Sequence, residues 1–213
     1  MKLLSIQVGK VQTHEYNGKD WTTGYFKNPV SGAVWVNKLN IEGDDQHHKK
    51  FHGGEHRAIL MYSSAHYDTW ESELGQRLPY GAFGENFTVE GLDETQVAIG
   101  DVYQIGDTLR LQVSQPRQPC NQIYQALGIR GIKNKVAQTR RTGWYLRVLQ
   151  EGHAEAGMSI SLLQKPHPQW TITRAHEVMD ARNEERKAAL ALSQIEVLEP
   201  GWRGRLAKAA VGI

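Results

Sequence analysis

The sequence predicts a mainly β protein with added helices, an α+β fold in which a barrel-like sheet domain over residues 1–165 is followed by a small three-helix extension over 168–213. Three observations carry this. Short apolar stretches with a period of two recur between glycine-rich turns through the first 165 residues, the pattern of a barrel or folded sheet more than of a βαβ series. The composition changes at Pro166-His167-Pro168. Beyond that point the apolar residues fall at helical spacing.

Met1 to Val8 has one lysine and a short apolar stretch, with no long hydrophobic region and no small-residue cleavage site, so it reads as a first strand and not as a signal peptide. Ala33 to Leu39 is rich in strand formers, and Arg57 to Tyr62 is an apolar run of strand length. Ser63 or Ser64 is placed to cap a helix with Tyr67, Trp70 and Leu74 on one stripe. Gly100-Asp101 and Gly106-Asp107 bracket a strand from Val102 to Ile105. From Thr108 to Ser114, Leu109, Leu111 and Val113 share one face while Arg110, Gln112 and Ser114 share the other. Residues 121–127 suit a helix that starts after Pro119, and Gly131 to Arg141 is either a helix or an ordered basic loop. Met158, Ile160 and Leu162 repeat the period of two. In the tail, Ile172, Ala175, Val178 and Met179 stripe a helix over Thr171 to Arg182. Asn183-Glu184-Glu185 supplies a cap and first-turn acids for a helix running to Leu192, and Pro200-Gly201 breaks the chain before a last helix from Trp202 to Ala210.

The bulk properties exclude several classes. The 25 Lys and Arg are interleaved with 23 Asp and Glu for a net charge of +2, which argues against nucleic acid as a partner. No apolar run approaches the roughly 18 residues that span a bilayer, which argues against a membrane protein. One cysteine makes no internal disulfide, which fits a reducing cytoplasm. Neither Gly-x-Gly-x-x-Gly after a strand, nor a Walker lysine, nor Gly-x-Ser-x-Gly is present.

Four constellations carry chemistry. Cys120 closes the run Ser114-Gln115-Pro116-Arg117-Gln118-Pro119-Cys120. Arg117 and the following helix start favour a thiolate there, a nucleophile or metal ligand; the alternative is a buried packing cysteine. Between Gly43 and Arg57 lie four histidines, with Lys49, Lys50 and Arg57 around Gly53-Gly54. His52 and His56 have the spacing of a helical zinc pair, but two glycines between them argue against a helix, which leaves an anion cradle or a solvated glycine turn. Phe83-Gly84-Glu85-Asn86-Phe87 offers a carboxylate and an amide to a polar heterocycle, or is a plain β-turn. Arg140-Arg141-Thr142-Gly143-Trp144-Tyr145 suits a flat anionic ligand, or is a charged helix end before a strand.

Taken in order, Asn40 to Gln46, His52 to Ile59, Phe83 to Phe87 and the stretch from Gly100-Asp101 to Cys120 resemble the MOSC family, domains related to the C-terminal part of molybdenum cofactor sulfurases. The resemblance covers about residues 1–165, and the tail is similar to the three-helix extension of stand-alone bacterial members, the YiiM-like group. It implies a MOSC-type, β-barrel-like fold and binding of the molybdenum–molybdopterin cofactor. Cys120 then matches the cysteine that carries sulfur or ligates molybdenum, which suits a soft thiolate. Arg57, Arg117, His52, Gly53, Gly54, Glu85, Asn86 and Arg141 become candidates for cofactor contacts. The implied activity is reduction of N-hydroxylated compounds, such as N-hydroxylated purine bases and amidoximes; the alternative is a cofactor or sulfur carrier without turnover. A lone cysteine rules out an iron–sulfur cluster held by this chain, and no flavin, nicotinamide or PLP motif is present, so electrons are expected from a separate redox protein. Close relatives often place a lysine two residues after the cysteine, where this chain has Gln122; Lys133 and Lys135 are the candidates to compensate.

Overall fold

The computed structural model describes residues 1–47 and 53–212. Along the chain the strands are β1 (Lys2–Val8), β2 (Gln12–Tyr16), β3 (Lys19–Thr23), β4 (Asn28–Pro29), β5 (Val34–Val36), β6 (Ile59–Ser63), β7 (Phe87–Glu90), β8 (Val102–Ile105), β9 (Leu109–Pro116), β10 (Trp144–Gln150), β11 (Gly152–Ala154) and β12 (Ile160–Gln164). The helices are α1 (Ala65–Leu74), α2 (Gln122–Leu127), α3 (Ile132–Thr139), α4 (Ile172–Asp180), α5 (Arg186–Ser193) and α6 (Pro200–Val211), with a 3-10 turn at Glu55–Arg57.

Eight strands form one sheet in the order β12-β8-β9-β10-β6-β7-β1-β4. Among the described residues only β6 and β7 run parallel, and α1 makes the crossover that parallel neighbours require. The sheet rolls over on itself without a continuous ladder closing it. The two sides meet at one isolated bridge, Lys2 to Ser159, supported by Leu3 N–H donating to the Met158 carbonyl at 3.0 Å and Gly157 N–H to that of Leu3 at 2.7 Å. The barrel expectation is therefore met as a rolled sheet with a seam.

Inside the roll, Leu109, Leu111 and Val113 of β9 are fully buried, as their alternation requires. They share a core with Trp144 and Leu146 of β10 and with Ile172, Val178, Leu192, Trp202 and Leu206 from the last three helices. A second cluster gathers Tyr62, Tyr67, Trp70, Phe83, Ile123 and Val136 under α1, α2 and α3.

Several elements depart from the sequence expectation for local reasons. The strand expected from Ala33 to Leu39 is cut to β5, because the Asn37 side chain accepts from Leu39 N–H and Asn40 N–H at 2.9 and 3.0 Å and turns the chain. Arg57 belongs to the 3-10 turn, and β6 starts two residues later. Leu162 does not follow Ile160 inward. It is 42% exposed on β12, the sheet's outer strand, where the register shifts before Gln164. Pro200 opens α6 and does not break the chain ahead of it. A proline at the first helical position loses no hydrogen bond, and the Glu199 side chain caps the turn by accepting from Trp202 N–H at 2.9 Å.

Candidate functional site

β9 delivers the site. Its last residue, Pro116, pairs with Trp144, and Arg117 N–H donates to the Gly143 carbonyl at 3.1 Å. The chain then leaves the sheet, and the loop to Cys120 hands over to α2, whose cap is Asn121. Cys120 is half-buried in the wall of a cleft with about 640 Å³ of empty space, its open mouth included.

Arg117 lies under the same cleft and is only 3% exposed. One terminal nitrogen donates to the Phe83 carbonyl at 3.2 Å; the other has no partner. Tyr25 and Tyr145, also lining the cleft, sit beside this guanidinium. Enclosure of the two hydroxyls pushes both tyrosine pKa values up, against the opposing pull of Arg117, so both stay protonated. For Arg117 itself burial works against the charge.

Two more cations reach the cleft, and each has a carboxylate. Lys27 is paired with the buried Asp44. Asp44 also accepts from Gly9 N–H at 2.8 Å and from the Asn86 amide at 3.0 Å, so one carboxylate fixes Lys27 and Asn86 together. Asn86 is further pinned to β6, its Oδ1 accepting from Leu60 N–H at 3.1 Å. Arg57 donates to Glu199 Oε1 at 3.0 Å, which ties the cleft to the start of α6. Gly24 in the wall permits a close chain crossing: a Cβ there would sit 2.3 Å from the Asp45 carbonyl oxygen.

The structure thus brings Cys120, Arg57, Arg117 and Asn86 to one cleft. It places other candidates elsewhere. Glu85 is fully buried beneath the turn, accepting from Gly81 N–H at 2.7 Å, Phe83 N–H at 3.2 Å, Thr88 Oγ1 at 3.0 Å and the Tyr67 hydroxyl. Arg141 stacks 3.8 Å over the Trp70 ring and donates to Glu73 at 2.7 Å, on the α1–α3 side. Gly54 starts the 3-10 turn with φ +89°, and its carbonyl accepts from Arg57 N–H at 2.9 Å; neither it nor Gly53 is among the described lining residues. His52, with Lys49 and Lys50, lies outside the described residues. His56, four residues after it, hydrogen-bonds to Arg147 at 2.8 Å. Among the described residues no three His, Cys, Asp or Glu side chains gather as a metal cage. Gln122 lines the cleft and accepts from Thr23 Oγ1 at 2.5 Å. Neither lysine offered as its substitute reaches there: Lys133 donates to Asn121 at 2.9 Å and Lys135 pairs with Glu73 at 2.9 Å.

Sequence reasoning missed Tyr25, Lys27, Asp44, Tyr145 and Glu199. Tyr145 sat inside a run noticed for its arginines. A proline directly after Glu199 signals a cap, but nothing local signals Arg57, 142 positions away.

A rolled sheet that presents one thiol and buried cations beyond the end of a strand defines a class, and the family model for the MOSC domain matches residues 48–161. The chain belongs to the MOSC domain family. It is 39% identical to YflK of Bacillus subtilis (strain 168) over 97% of this chain and 93% of that one. It is 33% identical to a protein named reductase from Gibberella moniliformis, over 85% of this chain but only 32% of that one. The crystal structure of YiiM from Geobacillus stearothermophilus superimposes with a TM-score of 0.83 at 32% identity, covering 98% of both chains. Among the described residues no helix is long and apolar enough to cross a membrane.

Proposed function

We propose that this cleft holds the molybdenum–molybdopterin cofactor, with the Cys120 thiolate as the protein's ligand to the metal, and that the protein reduces N-hydroxylated compounds there. One observation carries the reading. Arg117 is a buried guanidinium with an N–H to spare and, among the described residues, no carboxylate partner. An uncompensated buried cation costs several kcal/mol, so the cleft is built for an anion. The thiolate and a phosphate both answer that need, and a soft thiolate suits a sulfur-coordinated metal.

The remaining assignments follow from the chemistry of the wall. Arg57 and Arg117 bind the phosphate as charge-assisted donors. Asn86, locked by Asp44 and Leu60, and Gln122 offer hydrogen bonds to ring edges. When bound, the cofactor supplies two-electron removal of oxygen from nitrogen, with R–NH–OH, two electrons and two protons giving R–NH2 and water. Tyr145, protonated at neutral pH, serves as a hydrogen-bond donor at the substrate's leaving oxygen, whereas the Tyr25 hydroxyl already donates to the Ala82 carbonyl at 3.2 Å. The relative named reductase supports turnover over mere carriage.

The test is molybdenum content per chain in protein made in a molybdopterin-producing host. Near-stoichiometric metal is expected, lost on Cys120→Ser without loss of fold. No molybdenum in either protein sinks the proposal. The half-buried Cys120 is also accessible enough to carry a persulfide. A reducible gain of about 32 Da on Cys120, one sulfur, without substrate turnover marks the carrier function instead.

A further inference from the structure

A second groove lies behind the Cys120 loop. Gln118 and Pro119 form its floor, with Lys133, Arg140, His176 and Asp180 around them. Gln118 also lines the first cleft, so the loop that ends in Cys120 is the wall between the two.

The chain segment that supplies most of this groove's lining is one-sided in charge. Lys, Arg, Asp and Glu alternate over most of the chain, but residues 108–150 contain eight Lys and Arg and no Asp or Glu. With a net charge of only +2 overall, the rest of the chain is net negative. Arg117 and Arg147 are used internally, the first in the cleft and the second on Gln112, His56 and the Val197 carbonyl. Arg140, Arg141 and Lys135 are countered by Asp180 and Glu73. Arg130 is exposed, and among the described residues Lys133 donates only to the neutral Asn121. In the last helix Arg203 donates to the Ser193 carbonyl at 3.1 Å, and the exposed Arg205 donates to Gln118 Oε1 at 3.1 Å.

We propose that the groove and its basic rim, centred on Lys133 and Arg130, dock an acidic one-electron carrier protein, which delivers electrons through the back of the Cys120 loop. The inference rests on the reductase reading, whose balance needs two electrons that a chain with one cysteine does not relay through its own iron–sulfur cluster. Two reduced carriers, R–NH–OH and two protons give two oxidised carriers, R–NH2 and water. Docking behind the loop leaves the first cleft free for substrate. A positive rim facing a negative carrier sets the encounter rate and its salt dependence.

The test uses the holoprotein with two donors, an acidic [2Fe–2S] ferredoxin or flavodoxin and the small dye methyl viologen. Reversal of charge in Arg130→Glu/Lys133→Glu is expected to raise the KM for the protein carrier about tenfold at low ionic strength, with turnover from reduced viologen unchanged. Viologen turnover with a carrier KM indifferent to the reversal overturns the docking face, as does wild-type protein that uses viologen but neither carrier. Wild-type protein inert even with viologen sinks the reductase reading instead. In that case, calorimetric titration of carrier onto the two proteins still decides the docking face, with at least tenfold weaker binding to the reversed variant expected. Preference for a mixed-sequence DNA duplex over both carriers assigns the rim to nucleic acid and overturns the proposal.

Discussion

Replacing Glu85 by alanine separates a structural carboxylate from a ligand-binding one. The side chain is fully buried and receives four hydrogen bonds, from two backbone amides, one threonine hydroxyl and the Tyr67 hydroxyl. Removal leaves four buried donors without an acceptor. Each such group costs about 1–3 kcal/mol, and the vacated space lets water satisfy some of them, so a loss of about 4 kcal/mol is expected. For a chain of this size, about 2–4 °C in Tm accompanies each kcal/mol, which sets the drop at roughly 8–16 °C. Glu85→Gln keeps the shape but turns an NH2 toward either the Phe83 amide or the Gly81–Thr88 side. It therefore loses about half as much. The assay is calorimetric and urea unfolding of cofactor-free protein. If Glu85→Ala unfolds at the wild-type temperature and loses only cofactor affinity, the carboxylate faces ligand and the reasoning from its four donors is wrong.

Glu199→Gln keeps an oxygen for the Trp202 N–H but removes the charge opposite Arg57. Its Tm should fall by only a few degrees, since the pair is partly solvated, while molybdenum loading drops severalfold in metal analysis. His176 is pushed down to about 4 by burial and then by Arg140, from an ordinary value of 6.5. The folded protein therefore refuses a proton that the unfolded chain accepts between those pH values. The associated stability, about 3 kcal/mol, is complete above pH 6.5 and is lost progressively down to pH 4. Urea midpoints across that range should show the slope in wild type and a flatter line in His176→Gln.

The fold was legible where one local rule decided the outcome. The alternation of β9, the turns around β8 and the stripe of α4 each place side chains without reference to distant residues. Leu162 shows the limit, because period alone does not say that a strand lies at the outside of a sheet. Pro200 shows another: the same residue ends or opens a helix depending on which side its neighbours cap. In the site, Cys120, Arg117, Arg57 and Asn86 were legible through ordered motifs. Glu85 came from the same motif, yet its carboxylate turns inward, since a sequence names a side chain without its direction. Lys27 and Tyr25 reach the cleft from a short loop with no signature of its own, and nothing local pairs Glu199 with Arg57.

The seam between Lys2 and Ser159 has a consequence for synthesis of the protein. β1 pairs with β7 along one side; on the other its end is held by β4 and its start by residues 157–160. The first strand to leave the ribosome therefore waits for nearly the whole sheet before its last partners exist. Contacts of such sequence separation slow folding and prolong exposure of the strand's apolar face. The matched stretch 48–161 alone would lack β1 and leave β7 an open edge, so chains cut to that stretch should be recovered as aggregates.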